Sequence, residues 1–299
     1  MKVLITGGAG FIGSHLAGHF HGEAEVRVLD NLRTGFRENL DGLDVEFLEG
    51  SVCDRDIVRK SVAGVDFVFH LAALVSVPES MAKPRECVDI NVGGLLNVLE
   101  ESAAAGVKKL CFASSAAVYG DNPLVPKVEE MLPEPKSPYA ITKLDGEYYC
   151  GMFQNEGRLK TACLRFFNVF GPRQDPNGPY AAAVPIFFHR ALDGKPLTIF
   201  GDGTATRDFI FVKDIVAALV HLAETSGLSG VYNAGYGKST SIGYLARKIL
   251  EITGSASEIV HGPERVGDIK HSLANVDKLR NTGFYPQGDL VSGLESLLP

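Results

Sequence analysis

The chain has 299 residues, of which 45% are hydrophobic and 22% charged, so it is long enough to bury one large core and a smaller lobe. Its formal net charge of −7 excludes a protein that coats nucleic acid, because phosphate binding requires concentrated positive charge. No apolar run approaches the roughly 18 residues that a membrane span needs, and Lys2 leads directly into a strand-like stretch, which predicts a cytoplasmic protein with no membrane partner.

Short apolar runs alternate with stretches of helical period in the first half of the chain. This alternation is typical of βαβ units, and it predicts an α/β fold with a doubly wound parallel (Rossmann) sheet. Several of the runs are apolar on both faces, as buried parallel strands are. The predicted strands are Lys2–Thr6, Glu25–Asp30, Val45–Glu49, Val65–Leu71, Lys109–Ser114 and Thr161–Phe167.

Turn-rich sequence and shorter strands replace this rhythm from about Asn168 onward. We predict a second, smaller substrate-binding α/β lobe there, made of residues 168–207 and 227–299. Residues 208–226 contain a further predicted strand and helix, and we expect them to return to the first domain, which otherwise covers residues 1–167.

The first strand leads into Gly7-x-x-Gly10-x-x-Gly13, which opens a predicted helix, and Asp30 ends the next strand. In such a loop the glycines allow a tight turn, a close approach to a pyrophosphate and close packing of helix on strand. Asp30 is expected to bind the adenosine ribose hydroxyls and to repel a 2′-phosphate, which favours NAD over NADP, although Arg33 works slightly against that preference. The first domain is therefore predicted to bind NAD.

Tyr139 and Lys143 are four residues apart, so on a helix they lie on the same face. Lowering a tyrosine pKa from near 10 to about 7 takes about 4 kcal/mol, and one cation about 6 Å away supplies about 2.8 kcal/mol at an effective dielectric constant of 20. Lys143 and an oxidised nicotinamide together would make Tyr139 a base near neutral pH. Alone, such a pair more often lies on a solvated helix face; the upstream dinucleotide loop favours the catalytic interpretation.

Two further features complete the candidate site. Ser137 as N-cap and Pro138 in the first turn predict where the Tyr139 helix begins. Ser115 follows the strand Lys109–Ser114 at its carboxyl end, where ligands bind in open α/β sheets, and its hydroxyl can hydrogen-bond a reacting group beside Tyr139.

The cysteines and histidines predict neither disulfides nor a metal site. The five cysteines are widely spaced and contain no C-x-x-C pair, which indicates reduced thiols. The eight histidines form no H-x-x-x-H or H-E-x-x-H pattern, so no metal is expected.

Taken together, several segments resemble the extended short-chain dehydrogenases/reductases, specifically the nucleotide-sugar 4-epimerases of the UDP-glucose/UDP-N-acetylglucosamine group, over nearly the whole chain. The resemblance implies that Tyr139 is the base, Lys143 its electrostatic partner and a nicotinamide-ribose ligand, and Ser115 a proton-bridging hydroxyl. The segments are Gly7-x-x-Gly10-x-x-Gly13, Asp30-Asn31, His70-Leu71-Ala72-Ala73, Ser114-Ser115-Ala116-Ala117-Val118-Tyr119-Gly120, Tyr139-x-x-x-Lys143 and Leu164-Arg165-Phe166-Phe167-Asn168.

The resemblance also implies two sets of binding residues. The expected NAD-binding residues are Gly7, Gly10, Phe11, Ile12, Gly13, Asp30, Asn31, Ser51, Val52, Leu71, Ala72, Ala73, Asn91, Tyr139 and Lys143. The expected substrate-binding residues are Ser115, Asn168, Ala182, Ala183, Arg207, Arg265, Asp268 and Ser272. The two arginines would bind the diphosphate and Asp268 a ribose. Ser51 departs from the family, which usually has Asp at this position against the adenine.

The activity that the resemblance implies is NAD-dependent 4-epimerisation of a UDP-hexose through a 4-keto intermediate. Ala116 and Ala117 stand where related dehydratases and decarboxylases carry carboxylates. The small Ser272 stands where a large residue accompanies exclusion of N-acetyl sugars, so we expect UDP-N-acetylglucosamine/N-acetylgalactosamine as substrates alongside UDP-glucose/galactose.

Three questions stay open at this stage. The chain could be an NAD(P)-dependent reductase or another extended short-chain dehydrogenase acting on a different nucleotide sugar. It could also be a non-catalytic NAD-binding regulator. Finally, the segments Arg85–Ala105 and Ser137–Gln154 match the helices that pair in related homodimers, so a homodimer is expected.

Overall fold

The computed structural model describes residues 1–176, 182–264 and 269–298. Its strands are β1 (Lys2–Thr6), β2 (Glu25–Asp30), β3 (Val45–Glu49), β4 (Phe67–His70), β5 (Lys109–Ser115), β6 (Thr161–Phe166), β7 (Asn168–Phe170), β8 (Leu197–Phe200), β9 (Thr206–Phe211), β10 (Gly230–Ala234), β11 (Ser239–Ser241) and β12 (Ile259–Gly262). Its α-helices are α1 (Phe11–Phe20), α2 (Arg55–Val62), α3 (Val77–Ala82), α4 (Pro84–Val88), α5 (Gly94–Ala104), α6 (Pro138–Asn155), α7 (Ala183–Leu192), α8 (Val212–Glu224), α9 (Ile242–Thr253), α10 (Asp277–Arg280) and α11 (Leu290–Glu295).

Residues 1–120, 132–166 and 216–232 form one compact unit, called unit 1. Its sheet has the strand order β10-β6-β5-β4-β1-β2-β3, and the neighbours from β6 to β3 pair in parallel. Strands β1 and β5 are almost entirely buried, and aliphatic side chains such as Leu4, Leu95 and Leu110 form its core. The predicted doubly wound parallel sheet is confirmed. Its order reverses between β1 and β4, where open α/β sheets bind ligands.

Residues 121–131, 167–215 and 233–299 form the second unit, called unit 2. Its described strands make a three-stranded sheet, β11-β9-β7, and a two-stranded sheet, β12-β8. Helices α7 and α9 pack against each other, and both contact β8.

The boundaries of the units differ from the predicted domain boundaries in four places, of which the smallest is Phe167, which belongs to unit 2. Residues 208–215 belong to unit 2, because β9 pairs with β7 and β11. Residues 121–131 also belong to unit 2, because the backbone of Lys127 pairs with Leu273 and Asn275. Residues 227–232 belong to unit 1, where β10 extends the large sheet.

The predicted strands coincide with observed ones to within two residues at each end. The segment Arg85–Ala105 is less regular than its apolar period predicts, because a π-helical turn at Asp89–Gly93 separates α4 from α5. Asn91 in this turn makes two hydrogen bonds with the backbone of Leu74: the N–H of Leu74 donates to Asn91 Oδ1 at 2.7 Å, and Asn91 Nδ2 donates to the Leu74 carbonyl at 3.1 Å. Periodicity does not reveal such a contact with a distant loop. In the described part of the chain, no helix combines the length and apolar character required to cross a membrane.

The turn from β1 to α1 depends on two glycines. Gly7 has a φ of +72°, a backbone conformation that residues other than glycine rarely adopt. A Cβ there would lie 2.8 Å from the amide nitrogen of Ala72. A Cβ on Gly13 would lie 2.2 Å from the carbonyl oxygen of Gly7, so α1 can approach the loop only because Gly13 has no side chain. These are the roles that the sequence motif predicts for its first and third glycines.

Gly13→Ala should therefore destabilise the fold by about 1–3 kcal/mol, as overpacking does. The free energy of unfolding in urea measures this effect. Gly18→Ala is the matched control, since Gly18 is an exposed residue of the same helix and an added Cβ there meets nothing within 4 Å. The control should be neutral or more stable than the parent by up to about 1 kcal/mol, because alanine favours the helix. Equal stabilities of the two variants would contradict the packing argument.

Candidate active site

A pocket of about 350 Å³ lies within unit 1, at the carboxyl ends of its parallel strands. Of the predicted cofactor-binding residues, all except Asn91 line it. They come from the glycine-rich loop, the end of β2, the loops after β3 and β4, and helix α6. They are Gly7, Gly10, Phe11, Ile12, Gly13, Asp30, Asn31, Ser51, Val52, Leu71, Ala72, Ala73, Tyr139 and Lys143.

Asn91 lies beneath the pocket wall and is 3% exposed. Besides its two bonds to Leu74, its Nδ2 donates to Thr142 Oγ1 at 3.0 Å, and Thr142 belongs to α6. The contacts of Asn91 are thus with the protein interior, and its neighbour Ile90 lines the pocket instead. Asn91 joins α6 to the loop after β4, which is a positioning contact.

Asp30 at the end of β2 is buried, and both of its carboxylate oxygens accept backbone hydrogen bonds. The N–H of Ala9 in the glycine-rich loop donates to Oδ2 at 2.9 Å, and the N–H of Leu32 donates to Oδ1 at 2.8 Å. The carboxylate is therefore held at a fixed place on the pocket wall, as recognition of ribose hydroxyls requires.

The loop after Asp30 contributes pocket residues that sequence analysis did not assign to the cofactor site, namely Arg33, Thr34 and Gly35. A Cβ on Gly35 would lie 2.8 Å from the carbonyl carbon of Ala9, so this loop packs directly on the glycine-rich loop. Their position immediately after Asp30-Asn31 is the signal that could have identified them.

These features fit a bound dinucleotide. Among the described residues, and apart from Gly10 and its chain neighbours, the one atom within 4 Å of the position that a Cβ on Gly10 would take is the carbonyl oxygen of Gly7 at 3.2 Å. The backbone at Gly10 is therefore open to a close ligand. The loop, the start of α1 and the Asp30 carboxylate together offer backbone donors for a pyrophosphate and an acceptor for ribose hydroxyls.

Helix α6 begins where the sequence predicts, with Ser137 as N-cap and Pro138 in the first turn. It places Lys143 Nζ 5.8 Å from the centre of the Tyr139 ring. Lys143 is 4% exposed, and its Nζ donates a hydrogen bond of 2.7 Å to the carbonyl oxygen of Ala113 in β5. Both side chains line the pocket, so the structure brings together the pair predicted from its spacing.

Ser115 is the last residue of β5 and caps the short 3-10 helix Ala116–Tyr119. Its Oγ accepts the N–H of Ala117 at 3.1 Å, and the Ser115 hydroxyl is close enough to Tyr139 to lower the pKa of the tyrosine. Because Oγ accepts from the backbone, its own proton is available for the Tyr139 oxygen. Ser115 and Tyr139 thus lie near each other in unit 1, as the sequence predicts.

The chain's own residues set the protonation states of this group. Burial raises the pKa of the Tyr139 hydroxyl, the hydrogen bond from Ser115 acts against this increase, and the nearby Cys87 adds to it. Burial lowers the pKa of the Lys143 amine to about 8. The chain alone thus favours a protonated tyrosine, and the lowered pKa expected from the sequence included the positive charge of an oxidised nicotinamide beside that of Lys143.

A buried ion pair connects the helix and the strands that carry the site residues. Glu147 of α6 and Arg165 of β6 form two hydrogen bonds, of 2.8 and 2.7 Å, and both side chains are at most 4% exposed. Ser114 Oγ donates to Glu147 Oε1 at 2.5 Å, and Arg165 also donates to the Tyr119 hydroxyl at 2.9 Å. The pair therefore joins α6 to the strand end that carries Ser115.

Unit 2 has its own pocket, of about 470 Å³. The predicted substrate-binding residues Asn168, Ala182, Ala183 and Arg207 line it. Arg207 lies on β9, and its Nη1 donates to the carbonyl oxygen of Thr206 at 2.9 Å.

Of the other predicted substrate residues, Ser115 belongs to unit 1. Ser272 does not line the unit 2 pocket; it is partly buried beside β9, where its N–H donates to the carbonyl oxygen of Thr206 at 3.1 Å. Arg265 and Asp268 lie outside the described residues, so their roles remain predictions.

Sequence analysis missed two prominent members of the unit 2 pocket, Arg190 and Phe200. Arg190 is in α7, where its Nε donates to the carbonyl oxygen of Pro196 at 2.6 Å, and Phe200 ends β8 with 40% exposure. An aromatic residue exposed immediately before the turn Gly201-Asp202-Gly203 was an available signal. No local pattern distinguishes Arg190 from a surface arginine.

The sequence and the fold were compared with protein families and with solved structures. Residues 3–235 match the NAD dependent epimerase/dehydratase family. The UDP-N-acetylglucosamine 4-epimerase of Methanobrevibacter ruminantium, solved with UDP-N-acetylmuramic acid, is 40% identical, with a TM-score of 0.96 over 99% of this chain and 96% of that one. The UDP-glucose 4-epimerase of Thermotoga maritima, solved with UDP-glucose, is also 40% identical, with a TM-score of 0.94 over 99% and 97%. The UDP-glucose 4-epimerase of Thermus thermophilus, solved with NAD, is 37% identical, with a TM-score of 0.90 over 99% and 97%.

Proposed function

Because the chain belongs to the NAD-dependent epimerase/dehydratase family, we propose that it is an NAD-dependent UDP-sugar 4-epimerase. The observation that carries this proposal is the placement of Tyr139 and Lys143 together in the wall of the pocket that the glycine-rich loop and Asp30 also line. The similarity to 4-epimerases over nearly the whole chain supports it independently. NAD is the cofactor.

In this reaction the ionised Tyr139 accepts the proton of the sugar 4-hydroxyl, directly or through Ser115 Oγ. The Lys143 ammonium group stabilises the phenolate, and its bond to Ala113 holds it in place. Bound NAD supplies reversible redox chemistry at carbon 4, so the sugar passes through a 4-keto state with no net oxidation. When carbon 4 is reduced on its other face, Tyr139 returns the proton to the oxygen on that carbon.

The residues after Ser115 favour epimerisation over elimination or decarboxylation. Ala116 and Ala117 form the first turn of the helix that Ser115 caps, and neither offers a carboxylate to assist loss of water or to handle a uronic acid. Without such a group at these two positions, oxidation and re-reduction at one carbon is the chemistry that the catalytic group supports.

The unit 2 pocket has the chemistry to hold a UDP group. Arg207 and Arg190 line it and provide guanidinium groups for a diphosphate, and the exposed ring of Phe200 offers an aromatic face for a base. Ala182 and Ala183 add little side-chain bulk. Strong contacts to the nucleotide with few to the hexose would allow the 4-keto sugar to turn before it is reduced on its other face.

A homodimer is our proposal for the assembly. Ile141, Tyr148 and Met152 of α6 are between 39% and 64% exposed, and their spacing places them on one face of the helix. Val88 of α4 is also 45% exposed. A twofold pairing of these helices would cover this apolar face, and sedimentation of the purified protein as a monomer would refute it.

The cytoplasm is our proposal for the location of the protein. Its five cysteines are all free thiols, and four of them are buried. Free thiols are typical of proteins in reducing compartments.

The proposed function is tested by incubating the purified protein with UDP-glucose, UDP-galactose, UDP-N-acetylglucosamine and UDP-N-acetylgalactosamine, without added cofactor, and separating the 4-epimers. At least one pair should interconvert. Tyr139→Phe should lower kcat about 10²–10⁴-fold, because it removes the base, and should still bind NAD. Failure of every pair to interconvert, with consumption of NADPH in a separate incubation with a 4-keto nucleotide sugar, would indicate a reductase. Full activity of Tyr139→Phe would indicate that Tyr139 is not the base.

The role of Ser115 predicts a pH effect. The hydrogen bond from Ser115 lowers the pKa of Tyr139, so Ser115→Ala should raise that pKa and move the acidic limb of the kcat/KM profile to higher pH. At neutral pH the variant should lose about ten- to a hundredfold in kcat/KM, since a hydrogen bond to a charged group contributes about 1.5–3 kcal/mol. Ser115→Thr, which keeps the hydroxyl, is the control. An unchanged profile in the alanine variant would rule out this role.

The substrate range also has a test. If Ser272 leaves room for an N-acetyl group, Ser272→Tyr should lower turnover of the two acetylated substrates at least about tenfold and spare the two plain ones. Ser272→Ala should behave like the parent protein. Unchanged turnover of the acetylated substrates by the tyrosine variant would contradict the assignment.

A further inference from the structure

Arg33, in the loop after β2, is held by two carboxylates that come from another part of unit 1. Its Nη1 donates to Glu86 Oε1 at 2.6 Å, and its Nη2 donates to Glu79 Oε1 at 2.8 Å. Lys83 Nζ lies 3.6 Å from Glu79 and 3.4 Å from Glu86, so the four charges cancel within one cluster. We call these four residues the Arg33 cluster.

The Arg33 cluster lies at the ribose end of the cofactor pocket. Arg33 lines the pocket together with Asp30 and Asn31. Glu79 belongs to α3 and Glu86 to α4, and these helices directly follow the pocket-lining stretch that ends at Val75. The cluster thus joins the β2 loop to the segment that follows β4.

The backbone of the β2 loop is shaped for this contact. Leu32 has a φ of +56°, in the left-handed region that non-glycine residues rarely adopt, and its N–H is held by Asp30 Oδ1. The N–H of Arg33 then donates to Asn31 Oδ1 at 3.2 Å. Strained backbone of this kind persists where the surrounding contacts hold it. Here the strained residue, Leu32, lies between Asp30-Asn31 and Arg33 and sets the course of the backbone into Arg33.

An arginine in this loop has an alternative partner. In dinucleotide-binding folds, an acidic residue at the end of the second strand binds the ribose hydroxyls of NAD, whereas a nearby arginine accommodates the 2′-phosphate of NADP. This chain has both residues. Each terminal nitrogen of Arg33, however, already donates one hydrogen bond to a carboxylate, and these are the atoms that a phosphate would bind in the same fork geometry. The two carboxylates also repel a phosphate from the guanidinium group.

We propose that Glu79 and Glu86 are specificity-determining residues for the cofactor: by pairing with Arg33 they withhold it from a 2′-phosphate and keep the site selective for NAD over NADP. This inference rests on the proposed NAD-dependent function. It assigns a role to Arg33, which by sequence alone works against NAD selectivity, and to two glutamates that are 46 and 53 residues away from it.

The experiment measures the dissociation constants of NAD⁺ and NADP⁺ by calorimetry on protein freed of bound nucleotide. The variants are Glu79→Gln/Glu86→Gln, the same pair with Arg33→Ala, and the same pair with Lys83→Met. The double variant should bind NADP⁺ at least about tenfold more tightly than the parent, since it frees a charge-assisted, bidentate donor. Its affinity for NAD⁺ should change less than about threefold, since Asp30 is untouched.

The further variants identify the responsible cation. Adding Arg33→Ala to the double variant should remove the gain in NADP⁺ affinity, and adding Lys83→Met should leave it. Arg33→Ala alone should not weaken NADP⁺ binding, because the arginine is already paired in the parent protein. This single variant keeps the inference testable even if the double variant fails to fold.

Three results would overturn this inference and leave the proposed function intact. They are a double variant that binds NAD⁺ and has unchanged NADP⁺ affinity, a tenfold loss of NADP⁺ affinity from Arg33→Ala as a single variant, and a gain in NADP⁺ affinity that survives the addition of Arg33→Ala. A parent protein that binds neither dinucleotide would overturn the proposed function, and this inference with it.

Discussion

The position of Tyr139, the proposed base, depends on buried polar contacts that fix helix α6 to the carboxyl end of β5. Lys143 reaches the carbonyl oxygen of Ala113, and Glu147, one helical turn further on, accepts from Ser114 while it pairs with Arg165. Breaking a buried pair of this kind by removing one partner is costly, because an uncompensated charge remains inside the protein. The contacts therefore act as a single constraint: they hold the helix that carries Tyr139 against the strand that carries Ser115.

Electrostatics then explains why the site needs its cofactor for more than redox chemistry. Burial acts in opposite directions on the two key groups, because it raises the pKa of Tyr139 and lowers that of Lys143 to about 8, and both changes favour the neutral forms. Positive charge beside the phenolate acts against this effect of burial, and an oxidised nicotinamide would add such charge to that of the Lys143 ammonium group.

Local sequence information was sufficient where a residue's role is determined by its immediate neighbours. The glycines of the first turn, Asp30 at a strand end, and the spacing of Tyr139 and Lys143 were all predicted from the sequence, since backbone geometry and helical periodicity determine them. It was insufficient where a side chain finds its partner far along the chain. The inward-facing contacts of Asn91, the pairing of Arg33 with Glu79, and the place of Arg190 in the unit 2 pocket depend on tertiary contacts that no pattern within a short window encodes.

The division of the chain has an evolutionary consequence. Neither unit is a continuous segment, because the chain passes from one to the other after residues 120, 131, 166, 215 and 232. Any single breakpoint divides at least one of the two units, so one crossover with a relative cannot exchange either unit alone. Substitutions within an intact chain avoid this restriction. This route is consistent with relatives that share almost the full length of the chain yet act on different sugars.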